Sequence, residues 1–551
     1  MLKEKVKLEK PERNAVREKI EEAKERLSVL QLELKEKKIP VLIVFEGWDA
    51  AGKGRALSRV IKDLDPRFYD VKTMDKPSEE EQRRPFLYKY FIQIPEEGKF
   101  MFLDGGWMEE LNRSVLMGDI SHKIYEARVQ EVKCMERQLI DNGYIVLKFF
   151  FHIDKKEQRK RMQRLLSDKN TSWRVTDRDI WQNRHYEKCL KQYEWFMAQD
   201  EVAGRPWYLI DAGNRKWAQL QVLTVLVNAL EQSLAGKMSG ANIPSGEVVN
   251  QAETMSGESK LRLETGEKKK IAGEENAKTE LRMNDTNGRK SVSDGEKDRD
   301  TSLLSEFPLL KMPKLCEIPL NQKMDEEEYR KELQKCQKKL SRIHNKLYRR
   351  KIPVIIAYEG WDAAGKGGNI KRVAGALDPR GCDVYPIASP SPNAKARHYL
   401  WRFCMRLPKT GHIAIFDRTW YGRVMVERLE GYCTQDDWKR AYREINEFEK
   451  GLYDWGAIII KFWVQIDKDT QLERFNERQN TPEKRWKITD EDWRNRGKWD
   501  QYEAAVDEMI AKTSTEYAPW HVLESNDKYY ARIKALKIII RELEDAIDEK
   551  S

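Results

Sequence analysis

Residues 352–368 read IPVIIAYEGWDAAGKGG. The run up to Tyr358 is apolar and rich in β-branched side chains, as a buried strand would be. It leads into Gly360, Trp361, Asp362, Ala363, Ala364, Gly365, Lys366 and Gly367, a G-x-x-x-x-G-K spacing. A strand opening into such a turn lets backbone amides converge on a phosphate, here those of Gly360, Ala363, Ala364, Gly365 and Gly367, and the next helix adds its positive N-terminus. Lys366 supplies a mobile ammonium. The Ser or Thr that usually follows this lysine, and whose hydroxyl holds Mg2+, is replaced by Gly367. Asp362, inside the loop, is the expected substitute ligand for a hard cation.

Residues 39–54, IPVLIVFEGWDAAGKG, repeat the stretch. Lys366, Pro379, Asp417, Trp486 and Trp520 each lie 313 positions beyond Lys53, Pro66, Asp104, Trp173 and Trp207. A constant offset over that span predicts two homologous α/β domains in tandem. An amphipathic helix over residues 14–37 leads into the first copy. In each copy the pattern predicts the loop helix, an irregular basic stretch, a strand ending in Asp (100–104 and 412–417) and a long helix. A central strand follows (144–153 and 457–466), then an arginine-bearing helix, a Trp-containing loop, another helix, a last strand (207–211 and 520–524) and a terminal helix. Apolar strands alternating with helices imply a parallel sheet sandwiched by helices, with ligands beyond the strand carboxyl ends. The expected domains are 1–235 and 306–551. Residues 236–305 contain no aromatic residue and are rich in Gly, Ser, Asn, Glu and Lys, a composition expected of a disordered linker.

At 551 residues the chain exceeds one core, and its net charge of +10 says little on a chain that is 35% charged. Where Lys and Arg cluster beside the phosphate loop, they favour a polyanionic ligand. Seven scattered Cys without a C-x-x-C pair give no disulfide framework or zinc site. No apolar run approaches the roughly 18 residues of a membrane span, so a cytoplasmic protein is expected.

In the second copy, residues 412–417 form a short apolar strand ending in Asp417, placed to share Mg2+ with Asp362. Arg418 and Arg423 flank Trp420 and Tyr421 in DRTWYGR, fixed cations of the kind phosphoryl transfer needs; the plainer alternative for Arg423 is a surface pair with Glu427. Lys461 on the central strand is followed by Arg474, Arg478, Lys484, Arg485 and Lys487. Arg474 and Arg478, four apart, share a helix face where P-loop kinases carry a lid. Arg397, in the basic stretch after the loop helix, joins the phosphate- and nucleotide-binding candidates.

Together EGWDAAGKG, DRTWYGR, IIIKFWVQIDKDTQLERF, TPEKRWKIT and APWHVLESNDKYYAR resemble the family 2 polyphosphate kinases, in family order across residues 352–532. The fused layout resembles that family's class II members, the polyphosphate:AMP phosphotransferases. The resemblance implies a P-loop kinase fold with a helical lid in each copy and Mg2+-dependent transfer of a terminal polyphosphate phosphoryl to AMP. It also implies metal binding by Asp362 and Asp417, with Lys366, Arg418, Arg423 and the cations of residues 478–487 serving the phosphates. Inorganic polyphosphate and a nucleoside monophosphate are the expected partners, with neither nucleic acid nor membrane; oligomeric state is left open. The alternatives are phosphorylation of ADP or GDP and a non-catalytic polyanion-binding module.

The first copy keeps Asp49, Lys53 and Asp104. Gly105 matches Arg418, Met108 matches Tyr421, Glu110 matches Arg423, and Leu165, Thr171 and Ser172 match Arg478, Lys484 and Arg485. All but the change from Tyr421 to Met108 remove a cation, and Glu110 adds a repelling charge. The second copy is therefore expected to carry the chemistry, with the first as packing surface or a weak polyanion binder.

Overall fold

The computed structural model describes residues 13–200, 206–236 and 306–549. Apart from Gly236, the expected linker lies outside them. Each half contains a five-stranded, fully parallel sheet. In the first, β1 (Val41–Gly47), β2 (Tyr69–Thr73), β3 (Phe100–Asp104), β4 (Ile145–His152) and β5 (Trp207–Asp211) take the order β2-β3-β1-β4-β5. In the second, β6 (Val354–Gly360), β7 (Cys382–Pro386), β8 (Ile413–Asp417), β9 (Ile458–Gln465) and β10 (Trp520–Glu524) give the equivalent order β7-β8-β6-β9-β10.

The central strand of each sheet is the apolar run before the loop. Val354 pairs in register with Ile413 on one side and Ile458 on the other, and β6 is buried up to Glu359, as a strand covered by helices on both faces must be. The helix before each loop, Arg13–Glu36 or Glu326–Arg350, packs on the terminal helix, Arg215–Leu234 or Lys528–Glu549.

Two elements differ from expectation. The irregular basic stretch contains an edge strand in each half, β2 and β7, short, mostly exposed and interrupted by Asp70 or Asp383, so no apolar run announces it. The long helix after the Asp-ending strand is also broken. In the first half Gly118, at φ +80°, ends Trp107–Met117 before His122–Asp141 begins. In the second, the turns Trp420–Arg423 and Val426–Leu429 precede Gln435–Asp454.

The described residues of the two halves form one compact unit. Backbone bonds join Glu97 N to Ala396 O (2.8 Å) and Thr410 N to Arg83 O (2.9 Å). Between the helices His122–Asp141 and Gln435–Asp454, Arg137 and Gln138 both meet Glu447, and Asn142 Nδ2 donates to Glu444 Oε1 at 2.9 Å.

Candidate active site

Backbone geometry explains the glycine that begins the loop. Gly360 sits at φ +151°, and a Cβ there would lie 2.6 Å from the backbone oxygen of Val464. Gly365, at φ +113°, turns the chain into the helix Lys366–Ala374. The loop's carbonyl oxygens are pinned from behind. Arg474 donates to the oxygens of Ala363 (3.1 Å), Ala364 (2.9 Å), Ser525 (2.5 Å) and Asn526 (3.0 Å), and Gln471 Nε2 donates to Asp362 O at 3.1 Å. Trp361 stacks on Trp499 with centroids 3.7 Å apart. With its acceptors held in this way, the loop is preorganised to offer amides to an anion. Arg474 is thus a buried strut rather than a neighbour of Arg478 on a phosphate-facing surface.

On the open side, Lys366 Nζ donates to Gly360 O at 2.5 Å and Trp361 O at 3.1 Å. Asp362 holds Arg418 Nη2 at 3.4 Å on one oxygen and Asn495 Nδ2 at 3.0 Å on the other. Arg418 adopts φ +68°, the left-handed region that an L side chain occupies only under strain. Burial alone would lower its pKa; the nearby charges of Asp362, Glu359, Glu491 and Asp417 outweigh that and raise it. Asp362, Lys366 and Arg418 line a cavity of about 170 Å³, walled also by Arg402, Met425 and Tyr432.

Sequence reasoning missed Arg402, Asn495 and Glu359. The buried Glu359 accepts from Thr419 N (2.6 Å) and Oγ1 (2.8 Å), fixing the chain just after Arg418. Its burial raises its pKa. A carboxylate that ends a buried strand and recurs as Glu46 was the available signal.

Several predicted residues sit elsewhere. Lys461 is fully buried on β9, bonded to Glu449 (2.7 Å), Tyr421 Oη (2.7 Å) and Thr513 O (2.8 Å), so it is a core ion pair and not a phosphate ligand. Arg397 donates to Ile94 O at 3.0 Å and pairs with Glu96 at 3.1 Å, joining the halves instead of facing the cavity. Arg423 pairs with Glu427 at 3.0 Å and lies over the Tyr399 ring; neither it nor Asp417, at the end of β8, lines the cavity. The lid cations bond within the lid, Arg478 to Lys487 O (3.1 Å), Lys484 to Glu477 (2.6 Å) and Arg485 to Gln479 O (2.8 Å), while Lys487 lies over the Trp486 ring.

The donors fit a divalent cation in kind. Asp362 and Asp417 offer hard oxygens, and a Cβ at Gly367 would meet nothing within 4 Å, leaving room where a hydroxyl residue usually stands. Among the described residues no group of three or more His, Cys, Asp or Glu forms a metal cluster, so most ligands of such an ion would come from phosphate and water.

The first half builds the same loop and fills it. Arg161 pins the carbonyls of Ala51 (2.9 Å) and Ala212 (2.7 Å), and Trp48 stacks on Tyr186. Glu109, matched with Gly422, places Oε2 3.2 Å from Lys53 Nζ and its other oxygen against Arg178. Burial raises the carboxyl's pKa, but Lys53 and Arg178 outweigh it and lower it, so the group is ionised. The added charge expected at Glu110 belongs instead to Glu109; Glu110 pairs with Lys89 and accepts from Tyr90 Oη at 2.7 Å.

The family model of polyphosphate kinase 2 matches residues 10–237 and 323–551. The chain is 34% identical over 528 residues to a protein of Pseudomonas aeruginosa named polyphosphate:AMP phosphotransferase, covering 96% of this chain and 94% of the relative. A Pseudomonas syringae pv. tomato protein of the same name is 34% identical over 524 residues, covering 95% and 94%. A Pseudomonas aeruginosa crystal structure assigned to polyphosphate kinase 2 superposes with TM-score 0.77 at 32% identity, covering 100% of both chains. With that match over both halves and a shared fold, the chain belongs to the polyphosphate kinase 2 family.

Proposed function

We propose that the second half transfers the terminal phosphoryl group of inorganic polyphosphate to AMP, giving ADP, while the first half, residues 1–235, is catalytically silent. The observation that carries this reading is the contrast between the loops. Lys366 and Arg418 border an open cavity, whereas Lys53 is already occupied by Glu109. The full-length relatives named as AMP phosphotransferases support AMP as the acceptor.

Each side chain then has a defined task. The loop amides of residues 360–367 and the ammonium of Lys366, turned away from Gly360 O, hold the phosphoryl group. Arg418 neutralises charge spreading over the transferred oxygens, a task for fixed cations in a reaction with little covalent chemistry for the protein. The AMP phosphate is anionic at neutral pH and attacks in line without a general base, with Arg402 beside it and the base against Met425 and Tyr432. Asp362 and Asp417 would hold Mg2+, which would supply charge neutralisation for the transferred phosphoryl group. The exposed cations of the lid, residues 478–487, guide the polyphosphate chain.

No helix among the described residues is long and apolar enough to cross a membrane. The seven free cysteines fit a reducing compartment, and we place the reaction in the cytoplasm. The test is incubation with polyphosphate, Mg2+ and AMP, ADP or GDP in turn. ADP formed from AMP is the expected main product; fast triphosphate formation with none from AMP would reject the acceptor.

A further inference from the structure

We propose that an arginine-lined cavity in the first half is a second oligophosphate site, which holds the anion without transferring it. The cavity has a volume of about 170 Å³ and is lined by Ala50, Ala51 and Gly52 of the loop and by Arg55, Arg59, Arg164, Arg174 and Arg215. Neither Lys53 nor Glu109 lines it, so the carboxylate that fills the lysine side leaves this side free.

None of these five arginines has a carboxylate within ion-pairing distance among the described residues. Arg161, at the cavity floor, is committed to the loop carbonyls and to Glu157. The Arg215 guanidinium is held below its ordinary range by burial and then by the charges of Arg55, Arg161, Arg164 and Arg59, as expected of like charges held close together. Clustered cations with no acid among them raise the local positive potential that draws an anion.

Comparison with the second half sharpens the case. The positions of Arg55, Arg59, Arg164, Arg174 and Arg215 are held there by Gly368, Arg372, Glu477, Lys487 and Lys528. Glu477 pairs with Lys484 at 2.6 Å and Lys528 at 3.7 Å, partly cancelling the field. The first half has exchanged that acid for Arg164 and Gly368 for Arg55. It keeps no acid at these positions, so the positive charge around this cavity is uncompensated even though Leu165, Thr171 and Ser172 replace the second half's Arg478, Lys484 and Arg485. Planar guanidinium forks suit the paired oxygens of successive phosphates. The lining offers alanines, Leu165 and Phe151 but no slot for a base, which favours condensed phosphate over a whole nucleotide.

The choice of condensed phosphate as the natural anion rests on the polyphosphate reading above; the cation cluster does not. Calorimetric titration of the intact chain with tripolyphosphate should show two sites. Arg55→Ala/Arg215→Ala should abolish one and leave the maximal rate with AMP unchanged. Arg164→Glu, which restores the second half's acid on an exposed helix surface, should weaken the same site at least tenfold. ATP binding there as tightly as tripolyphosphate would support the oligophosphate site with a nucleotide tail as its source. Two sites with no transfer to AMP would retain this inference and reject the proposed function. A single site that both variants leave intact would overturn it.

Discussion

The Oε2 of Glu109 stands 3.2 Å from the Nζ of Lys53, where a phosphoryl oxygen would have to be for that lysine to take part in transfer. A carboxylate thus plays the anion's part in one half. The corresponding residue of the other half, Gly422, has no side chain with which to do so.

Gly422→Glu should therefore close the second loop in the same manner. A Cβ at Gly422 would meet only Val426 Cγ1, at 3.7 Å, so the backbone accepts the change. ADP formation from AMP should fall by about 100-fold or more, the scale of losing one preorganised charge contact, with thermal stability retained. Full activity in a folded Gly422→Glu protein would contradict the account of Glu109.

Removing each loop lysine separately tests the asymmetry. Lys366→Ala should cost about 100-fold or more in kcat with AMP, and Lys53→Ala less than about twofold. Steady-state assays of the two variants decide it: equal losses would mean that both loops take part.

At Arg418 strain and function are opposed. The residue sits at φ +68°, and its counterpart Gly105 occupies the same region, at φ +90°, without a side chain to strain. Arg418→Gly should reduce turnover by about 100-fold or more while leaving stability to urea unchanged or up to about 1 kcal/mol higher. A clear loss of stability together with retained turnover would show that the arginine is structural.

Lys461 is expected to behave oppositely. With its ammonium 2.7 Å from Glu449 and neither residue exposed, Lys461→Met strands a buried carboxylate and should cost about 3–5 kcal/mol. Adding Glu449→Leu should recover much of that loss. Urea midpoints of the three proteins report it, and the turnover of whatever remains folded should be near normal.

Glu131 predicts a pH dependence. Burial, set against Arg128 and reinforced by Asp454, pushes its carboxyl up to about 7 from an ordinary 4.5. Between those values the unfolded chain releases a proton that the folded one keeps, so stability falls as pH rises through the window. Glu131→Gln should be more stable than wild type by about 2 kcal/mol at pH 8 and no different at pH 4. Equal stabilities at pH 8 would show that Glu131 ionises freely in the folded chain.

Much of the fold was legible because its signals are contiguous. The strand, the loop glycines and the Asp-ending strand each lie within a single short run, and the offset of 313 repeats them. The edge strands β2 and β7 were hidden because, short, mostly exposed and broken by Asp70 or Asp383, they carry no apolar run. Lys366, Asp362 and Arg418, which motif spacing picks out, line one cavity, whereas Lys461 lies in the core: charge alone does not tell a buried ammonium from an exposed one. The correcting signal was that Lys148 and Glu136 recur at the positions of Lys461 and Glu449, and they too are buried and paired, at 2.6 Å. Arg397 and Arg474 act on carbonyl oxygens distant in sequence, which no local pattern encodes. Glu109 was one residue away from the one chosen, and only the course of the backbone after β3 separates them.

Glu444 is 2% exposed, and its oxygens are divided between Arg440 and His398 of its own half and Asn142 of the other, while Glu447 is shared with Arg137 and Gln138. Splitting the gene between the two repeats would strip Glu444 of Asn142 and Glu447 of Arg137 and Gln138, and would bare the helix that carries both acids. A truncated product containing only the second repeat would then be prone to clump, and the first repeat would be indispensable to its sibling whatever its own chemistry.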